Sequence, residues 1–190
     1  MSVIGPEYFY AAADKLCSRL GISLQLNVPA RERASLHWSI PQSSLCLDSR
    51  KIALGHIDQE PLGHTLHEIA HVLCGVSSMV DEDYMLVVER ELVRILADAH
   101  PEFSLSDWLA AYQLGNDFGL YLPEFLSPEE RLAEVGEISA SEFNTYVDAD
   151  QQSAEWRRSK TAKELVQRLS AVPDESLRAR LRALAQRPKC

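Results

Sequence analysis

The sequence predicts an α+β fold that is mostly helical, with a small mixed β-sheet next to one helix and a helical C-terminal extension. Residues 6–20 repeat apolar side chains at helical spacing and stop at Gly21. Four short runs rich in β-forming residues follow, separated by turn-rich stretches, at residues 22–26, 37–40, 44–47 and 51–54. The periodicity beyond these runs is helical, which gives a small sheet among many helices.

Composition indicates one well-filled globular domain. The chain has 190 residues, of which 46% are hydrophobic. Glu7, Asp14 and Lys15 interrupt the first helix, which is unlike a signal peptide, and no apolar window is long enough to span a membrane. We therefore expect a cytoplasmic protein with no membrane partner.

The four cysteines are expected to be free thiols. They are Cys17, Cys46, Cys74 and Cys190, and no two of them form a C-x-x-C pair. This spacing indicates neither a disulfide framework nor a cysteine zinc knuckle.

Charge is divided unevenly along the chain. Residues 1–155 carry 25 acidic and 9 basic side chains, whereas residues 156–190 carry 3 and 10. The basic residues of this tail are spaced among leucines as in amphipathic helices. Three roles stay open for the basic face: packing on the acidic body, binding an acidic partner and, less in keeping with the helical spacing, contacting nucleic acid.

The strongest chemical signal is an H-E-x-x-H motif at residues 67–71, inside the run GHTLHEIAHVLCG. Residues four apart share a helix face, so His67 and His71 are able to hold one metal ion while Glu68 acts as the base. A chance arrangement on a surface helix is the alternative. The apolar residues around the motif argue against it, because a solvated helix is not apolar on nearly all sides.

A catalytic zinc ion takes three protein ligands, and the motif supplies two. The next helix is predicted to open with a capping box at Ser78 and Asp81 and to run to residue 100. On its helical wheel Glu89 falls on the apolar half, whereas Glu91 falls among charged residues. Glu89 is therefore the first candidate for the third ligand, Glu91 the second and His100 the third, while a paired glutamate at the core edge is the structural alternative for Glu89.

The second half of the chain is predicted to be helical as well. Helices are expected over residues 106–114, 127–136 and 141–170, with a last helix after residue 173. The aromatic-rich loop at residues 115–128 fits a lid or ordinary packing. We divide the chain into a catalytic core at residues 1–100 and a helical extension at residues 101–190, packed on the core and ending in basic helices.

Residues 6–100 resemble the ImmA/IrrE-like zinc metallopeptidases in the order of their predicted elements: a helix, short strands, a strand leading into H-E-x-x-H, and a helix with an inward glutamate. The last helix commonly reads E-x-x-A-N-x-F-A in that family, and residues 89–96 keep the glutamate and the apolar steps but lack the alanine and asparagine. The resemblance implies a zincin-like fold with a gluzincin site, in which His67, His71 and Glu89 hold Zn²⁺. It also implies regulatory proteolysis of a protein substrate such as a helix-turn-helix repressor.

The expected chemistry is hydrolysis of a peptide bond, with Glu68 accepting a proton from a zinc-polarised water and passing it to the leaving amine. A second donor would assist the oxyanion, and the choice stays open among six side chains: His56, His64, Tyr84, Tyr112, Tyr121 and Tyr146. Two other functions stay open. One is a non-catalytic protein that binds a protein or nucleic-acid partner through its basic C-terminal helices, and the other is a zinc hydrolase with a non-peptide substrate.

Overall fold

The computed structural model describes residues 4–29, 38–39, 43–46, 50–55, 62–75, 81–114 and 155–186. These residues are mostly helical and include one small sheet, which confirms the α+β prediction. In chain order the elements are α1 (Pro6–Leu20), β1 (Ser23–Gln25), β2 (Trp38–Ser39), β3 (Ser43–Cys46), β4 (Lys51–Leu54), α2 (Leu62–Cys74), α3 (Glu82–Ala99), α4 (Leu105–Leu114), α5 (residues 155–168), a short 3-10 turn (Leu169–Ala171) and α6 (Glu175–Ala185).

The described strands form one mixed sheet in the order β1-β4-β3-β2. β1 runs parallel to β4, whereas β3 is antiparallel to both β4 and β2. α2 packs against β3 and β4, so the sheet adjoins the motif helix as predicted. β4, the strand that precedes α2 in the chain, lies between two neighbours, and β1 and β2 are the edges of the described sheet.

Capping residues explain where α1 begins and ends and where α3 begins. Pro6 occupies the first turn of α1, and Gly21 caps its C-terminus with a φ of 69°, a backbone conformation that glycine adopts without strain. α3 begins after Asp81, whose side chain accepts a hydrogen bond from the Tyr84 backbone N–H. Asp81 is thus the N-cap itself, while Ser78, the predicted first residue of a capping box, lies outside the described residues.

A single hydrophobic core joins the first and last described segments. Phe9 of α1, Met85 of α3, Trp108 of α4 and Leu181 of α6 are buried members of the same cluster. Burial of this kind is the main favourable term in folding. The helices after residue 100 therefore share their core with the segment that carries the motif.

Part of the basic charge of the tail is paired with acidic residues of the body. Arg180 of α6 donates hydrogen bonds to Glu91 and Asp98 of α3, and Arg94 donates to Glu91 over 3.1 Å. The sequence placed Glu91 on an exposed charged face, which is wrong: it is only 4% exposed. Burial opposes ionisation of Glu91, but the hydrogen bonds from Arg180 and Arg94 outweigh it and lower the pKa of this carboxyl.

Arg50 joins the C-terminal ends of two helices. Its guanidinium donates to the carbonyl oxygens of Leu20 and Gly21, at 2.8 and 3.1 Å, and to that of Arg168 at 3.2 Å. The last carbonyls of a helix have no partner within the helix, and a cation near them also interacts favourably with the helix dipole. One side chain therefore ties α1 to α5.

Two of the four cysteines, Cys17 and Cys74, lie within the described side chains, and both are buried free thiols, as predicted. Burial raises the pKa of the Cys17 thiol well above its usual range. The predicted helix at residues 127–136 and the aromatic-rich loop lie outside the described residues. None of the described helices combines the length and the apolar character needed to cross a membrane.

Candidate metal centre

α2 brings the two motif histidines onto one face of the helix. The imidazole rings of His67 and His71 lie 4.5 Å apart between centroids, at an angle of 81°. Both side chains are partly exposed, while their neighbours Leu66, Ile69 and Val72 are buried. The histidine edge of this apolar helix is therefore accessible to solvent, whereas the rest anchors it in the core.

The hydrogen bond of His71 defines its tautomer. His71 Nδ1 lies 3.3 Å from the carbonyl oxygen of Gly75, which is only able to accept, so Nδ1 carries the proton. In the neutral ring the lone pair is then on Nε2, the nitrogen through which such a histidine binds a metal. Gly75 has a φ of 98°, and this left-handed turn directs its carbonyl group towards His71.

His67 has an equivalent arrangement with a carboxylate in place of the carbonyl group. Its Nδ1 lies 2.9 Å from Oε1 of Glu89 on α3. Glu89 is 1% exposed, so this contact takes place inside the protein. With Nδ1–H donating to the carboxylate, the lone pair of His67 is also on Nε2.

Tyr112 of α4 holds the other oxygen of the same carboxylate. Its hydroxyl group donates to Glu89 Oε2, and the tyrosine is only 5% exposed. Tyr112 is one of the six side chains that the sequence offers as candidate oxyanion donors. Selecting Tyr112 among the six candidates requires knowledge that α4 packs against α2 and α3. The residues around Tyr112 in the sequence do not indicate that packing.

Glu68, the candidate base, lies next to His67 in α2. It is 2% exposed. A carboxylate is costly to bury without polar partners, so a buried glutamate in the motif is more informative than an exposed one would be. Glu68 thus belongs to the buried part of α2, whereas His67 and His71 lie on its partly exposed side.

The three candidates for a third ligand lie in different surroundings. Glu89 contacts His67, Glu91 is paired with arginines on another side of α3, and His100 lies at the end of α3, where its Nδ1 is 2.7 Å from the Tyr8 hydroxyl oxygen. Glu89 is thus the one of the three that reaches the motif. Its assignment as a metal ligand stays a prediction.

Another candidate donor, Tyr84 of α3, has different surroundings from Tyr112. Its hydroxyl group is buried and has no hydrogen-bond partner among the described residues. Burial raises its pKa to about 12. The remaining candidates, which are His56, Tyr121, Tyr146 and the side chain of His64, lie outside what the structure describes.

The two imidazoles fit a zinc ion in residue type and in tautomer, because nitrogen ligands of this kind suit zinc and both rings present Nε2. A complete ligand set does not emerge from the described part of the chain, where no group of three or more histidine, cysteine, aspartate or glutamate side chains is arranged to hold a metal.

No protein-family model, curated protein or solved structure matches this chain. The resemblance to ImmA/IrrE-like peptidases therefore rests on the sequence features alone and stays a prediction.

Proposed function

We propose that this protein is a zinc-dependent metallopeptidase. The observation that carries the proposal is the pair His67 and His71, whose Nδ1 atoms are both engaged with oxygen acceptors and whose helix also carries the buried Glu68. A histidine that ligates zinc typically donates its other ring N–H to a carboxylate or a backbone carbonyl group. Both histidines have such a partner.

His67 and His71 would hold Zn²⁺ through their Nε2 atoms. When bound, the ion supplies a Lewis acid that polarises a water molecule and the carbonyl group of the substrate. Glu89, the first candidate from the sequence for the third ligand, contacts His67 at Nδ1.

Glu68 has the role of general base and then of general acid. It takes a proton from the attacking water and passes it to the amine that leaves when the peptide bond breaks. Glu68 is buried and follows His67 directly in the chain, which is the position of the base in the H-E-x-x-H motif. Tyr112, one of the six donor candidates from the sequence, donates its hydroxyl proton to Glu89.

The substrate class proposed is protein, and the process is regulatory proteolysis, with a helix-turn-helix repressor as the example suggested by the family resemblance. The proposed location is the cytoplasm. These parts of the proposal depend on the sequence resemblance rather than on contacts of the described residues.

A non-catalytic interaction protein is the second candidate. One observation favours it: Trp156 of α5 is 54% exposed, with Lys160 Nζ 5.3 Å from the centroid of its ring. An exposed aromatic residue beside cations suits an acidic partner. Against it, Arg180 is already engaged with Glu91 and Asp98, which reduces the positive charge that the tail presents.

The substitution Glu68→Gln separates the two functions. We expect the variant to bind zinc like the wild type and to lose peptidase activity by at least about 100-fold, because glutamine is not able to accept the proton. Zinc content and cleavage of an unfolded, fluorescently labelled protein are measured on the same preparations. A Glu68→Gln variant that cleaves as fast as the wild type would refute the proposed peptidase function of this site.

A further inference from the structure

Glu89 carries a hydrogen-bond pattern that suits a positioning role better than a place on the metal. Its Oε1 is 2.9 Å from Nδ1 of His67, and Nδ1 and Nε2 point to opposite sides of the imidazole ring. A metal ion on Nε2 therefore lies across the ring from this carboxylate. The same carboxylate is not able to hold His67 from behind and ligate an ion in front of it.

The second oxygen of Glu89 is engaged as well. Tyr112 donates its hydroxyl proton to Oε2, and both side chains are almost completely buried. Tyr112 lies on α4, whose neighbouring residue Trp108 is fully buried in the core, so the phenol group has little freedom to move. His67 and Tyr112 thus each donate a hydrogen bond to the Glu89 carboxylate, His67 to Oε1 and Tyr112 to Oε2.

We infer that Glu89 and Tyr112 are positioning residues of the proposed zinc site: Tyr112 holds the Glu89 carboxylate, and the carboxylate fixes the ring orientation and tautomer of His67. The inference rests on the proposed function. It assigns a site role to α4, beyond the segment in which the sequence placed the catalytic core, and it leaves the third metal position to another group.

Glutamine at position 89 distinguishes a positioning residue from a ligand. Its amide oxygen is able to accept from His67 Nδ1–H, and its NH₂ group is able to donate to the Tyr112 oxygen, so both contacts are retained. A neutral amide is, however, a much poorer zinc ligand than a carboxylate. Alanine at the same position removes both the hydrogen bonds and the ability to ligate zinc.

The experiment measures the zinc dissociation constant by competition with a chelator for the wild type and for Glu89→Gln, Glu89→Ala and Tyr112→Phe. Partners of metal-binding histidines typically contribute 10- to 100-fold in affinity. We expect Glu89→Ala to weaken zinc binding by roughly 100-fold and Tyr112→Phe by roughly tenfold. Glu89→Gln is expected to stay within roughly tenfold of the wild type and to leave the visible spectrum of the cobalt-substituted protein unchanged.

Two control variants remove similar groups outside the site. Tyr84→Phe removes a buried hydroxyl group that has no hydrogen-bond partner among the described residues, and Glu91→Gln changes a buried glutamate that is paired with arginines. Both are expected to bind zinc like the wild type. A loss of affinity in Tyr112→Phe that equals that in Tyr84→Phe would remove Tyr112 from the site.

A second readout does not depend on zinc. In the wild type and in Glu89→Gln, the nitrogen resonances of His67 are expected to show a proton on Nδ1, whereas in Glu89→Ala the two neutral tautomers mix. Glu89→Gln overturns the inference if it binds zinc as weakly as Glu89→Ala or alters the cobalt spectrum, since both results identify a ligand.

The experiments distinguish failure of the proposed function from failure of the inference about Glu89 and Tyr112. A wild-type protein that binds zinc but cleaves no protein is not a peptidase, and the pattern among the position 89 variants still supports the positioning role. A wild-type protein that binds no zinc overturns both.

Discussion

Glu89 and Glu91 are two residues apart on α3 and are both buried, yet they lie in opposite kinds of surroundings. Glu91 contacts the guanidinium groups of Arg94 and Arg180. The partners of Glu89 are an imidazole and a phenol. Burial and residue type are thus the same on both sides of the helix, and the partners differ: arginines pair with Glu91, whereas Glu89 contacts a histidine of the H-E-x-x-H motif.

The charges that surround the two carboxylates also differ. A buried carboxylate between two arginines has its charge neutralised by the protein. Glu89 instead accepts hydrogen bonds from a phenol and an imidazole. The Glu91 side of α3 is therefore the one suited to packing of α6.

Loss of Arg180 is expected to give the largest effect on folding. Arg180→Ala leaves Glu91 and Asp98 without one of their donors, and we expect a loss of about 1–3 kcal/mol in the free energy of unfolding, because a buried acceptor then lacks its partner. Urea unfolding followed by circular dichroism measures it. Zinc affinity should not change, since Glu91 lies apart from the motif.

Arg178→Ala is the matched control on the same helix. Arg178 pairs with Glu175, which is 90% exposed, and surface pairs of this kind contribute below about 0.5 kcal/mol. If the two arginine variants lose equal stability, the contact between α3 and α6 is no more than a surface ion pair, and the contrast between Glu91 and Glu89 is weaker than we argue.

Gly75→Ala is expected to lower the free energy of unfolding by a smaller amount. It acts near the histidine pair rather than near Glu91. The φ of 98° at Gly75 costs an L-residue about 1–2 kcal/mol. A Cβ there would meet its neighbours at no less than 3.8 Å, so the cost comes from the backbone and not from a clash. Because the Gly75 carbonyl group holds His71, both stability and zinc affinity should fall.

Gly5→Ala is the control for Gly75→Ala. Gly5 has a φ of −74°, and a Cβ there would meet nothing within 4 Å. Chemical unfolding and zinc titration of both variants test the difference. Equal zinc affinity in Gly75→Ala and Gly5→Ala would mean that the Gly75 carbonyl group does not orient His71.

The smallest expected effect is on pH dependence. The pKa of Glu91 is lowered in the folded protein, so the stability that it contributes is present above its ordinary value of 4.5 and is lost as the pH falls through the lower folded value. Thermal unfolding of the wild type and of Glu91→Gln from pH 7 to pH 3 isolates this contribution. The difference in melting temperature should shrink on acidification, and a constant difference would argue against the ionic pairing.

Local periodicity was sufficient to predict the four strands, α1, the C-terminal end of α3 and the shared face of His67 and His71. The same reasoning directed Glu89 inwards, because a helical wheel depends only on neighbouring residues. It failed for Glu91, whose burial depends on Arg180, 89 residues further along the chain. A contact at that distance leaves no periodic signal near Glu91.

Tyr112 illustrates the same limit inside the site. A tyrosine in α4 has no sequence feature that relates it to a glutamate 23 residues earlier. Their contact arises because α4 packs on α2 and α3, which is a property of the assembled core. The shared helix face of His67 and His71 was thus predictable from five residues, whereas the groups that contact His67 were not.

Elemental analysis of the purified protein tests the central claim most directly. We expect one zinc ion per chain in the wild type and none in the double variant His67→Ala, His71→Ala, while the Glu91→Gln and Tyr84→Phe variants retain the metal. A wild-type protein without zinc, or a double variant that holds as much zinc as the wild type, would contradict it.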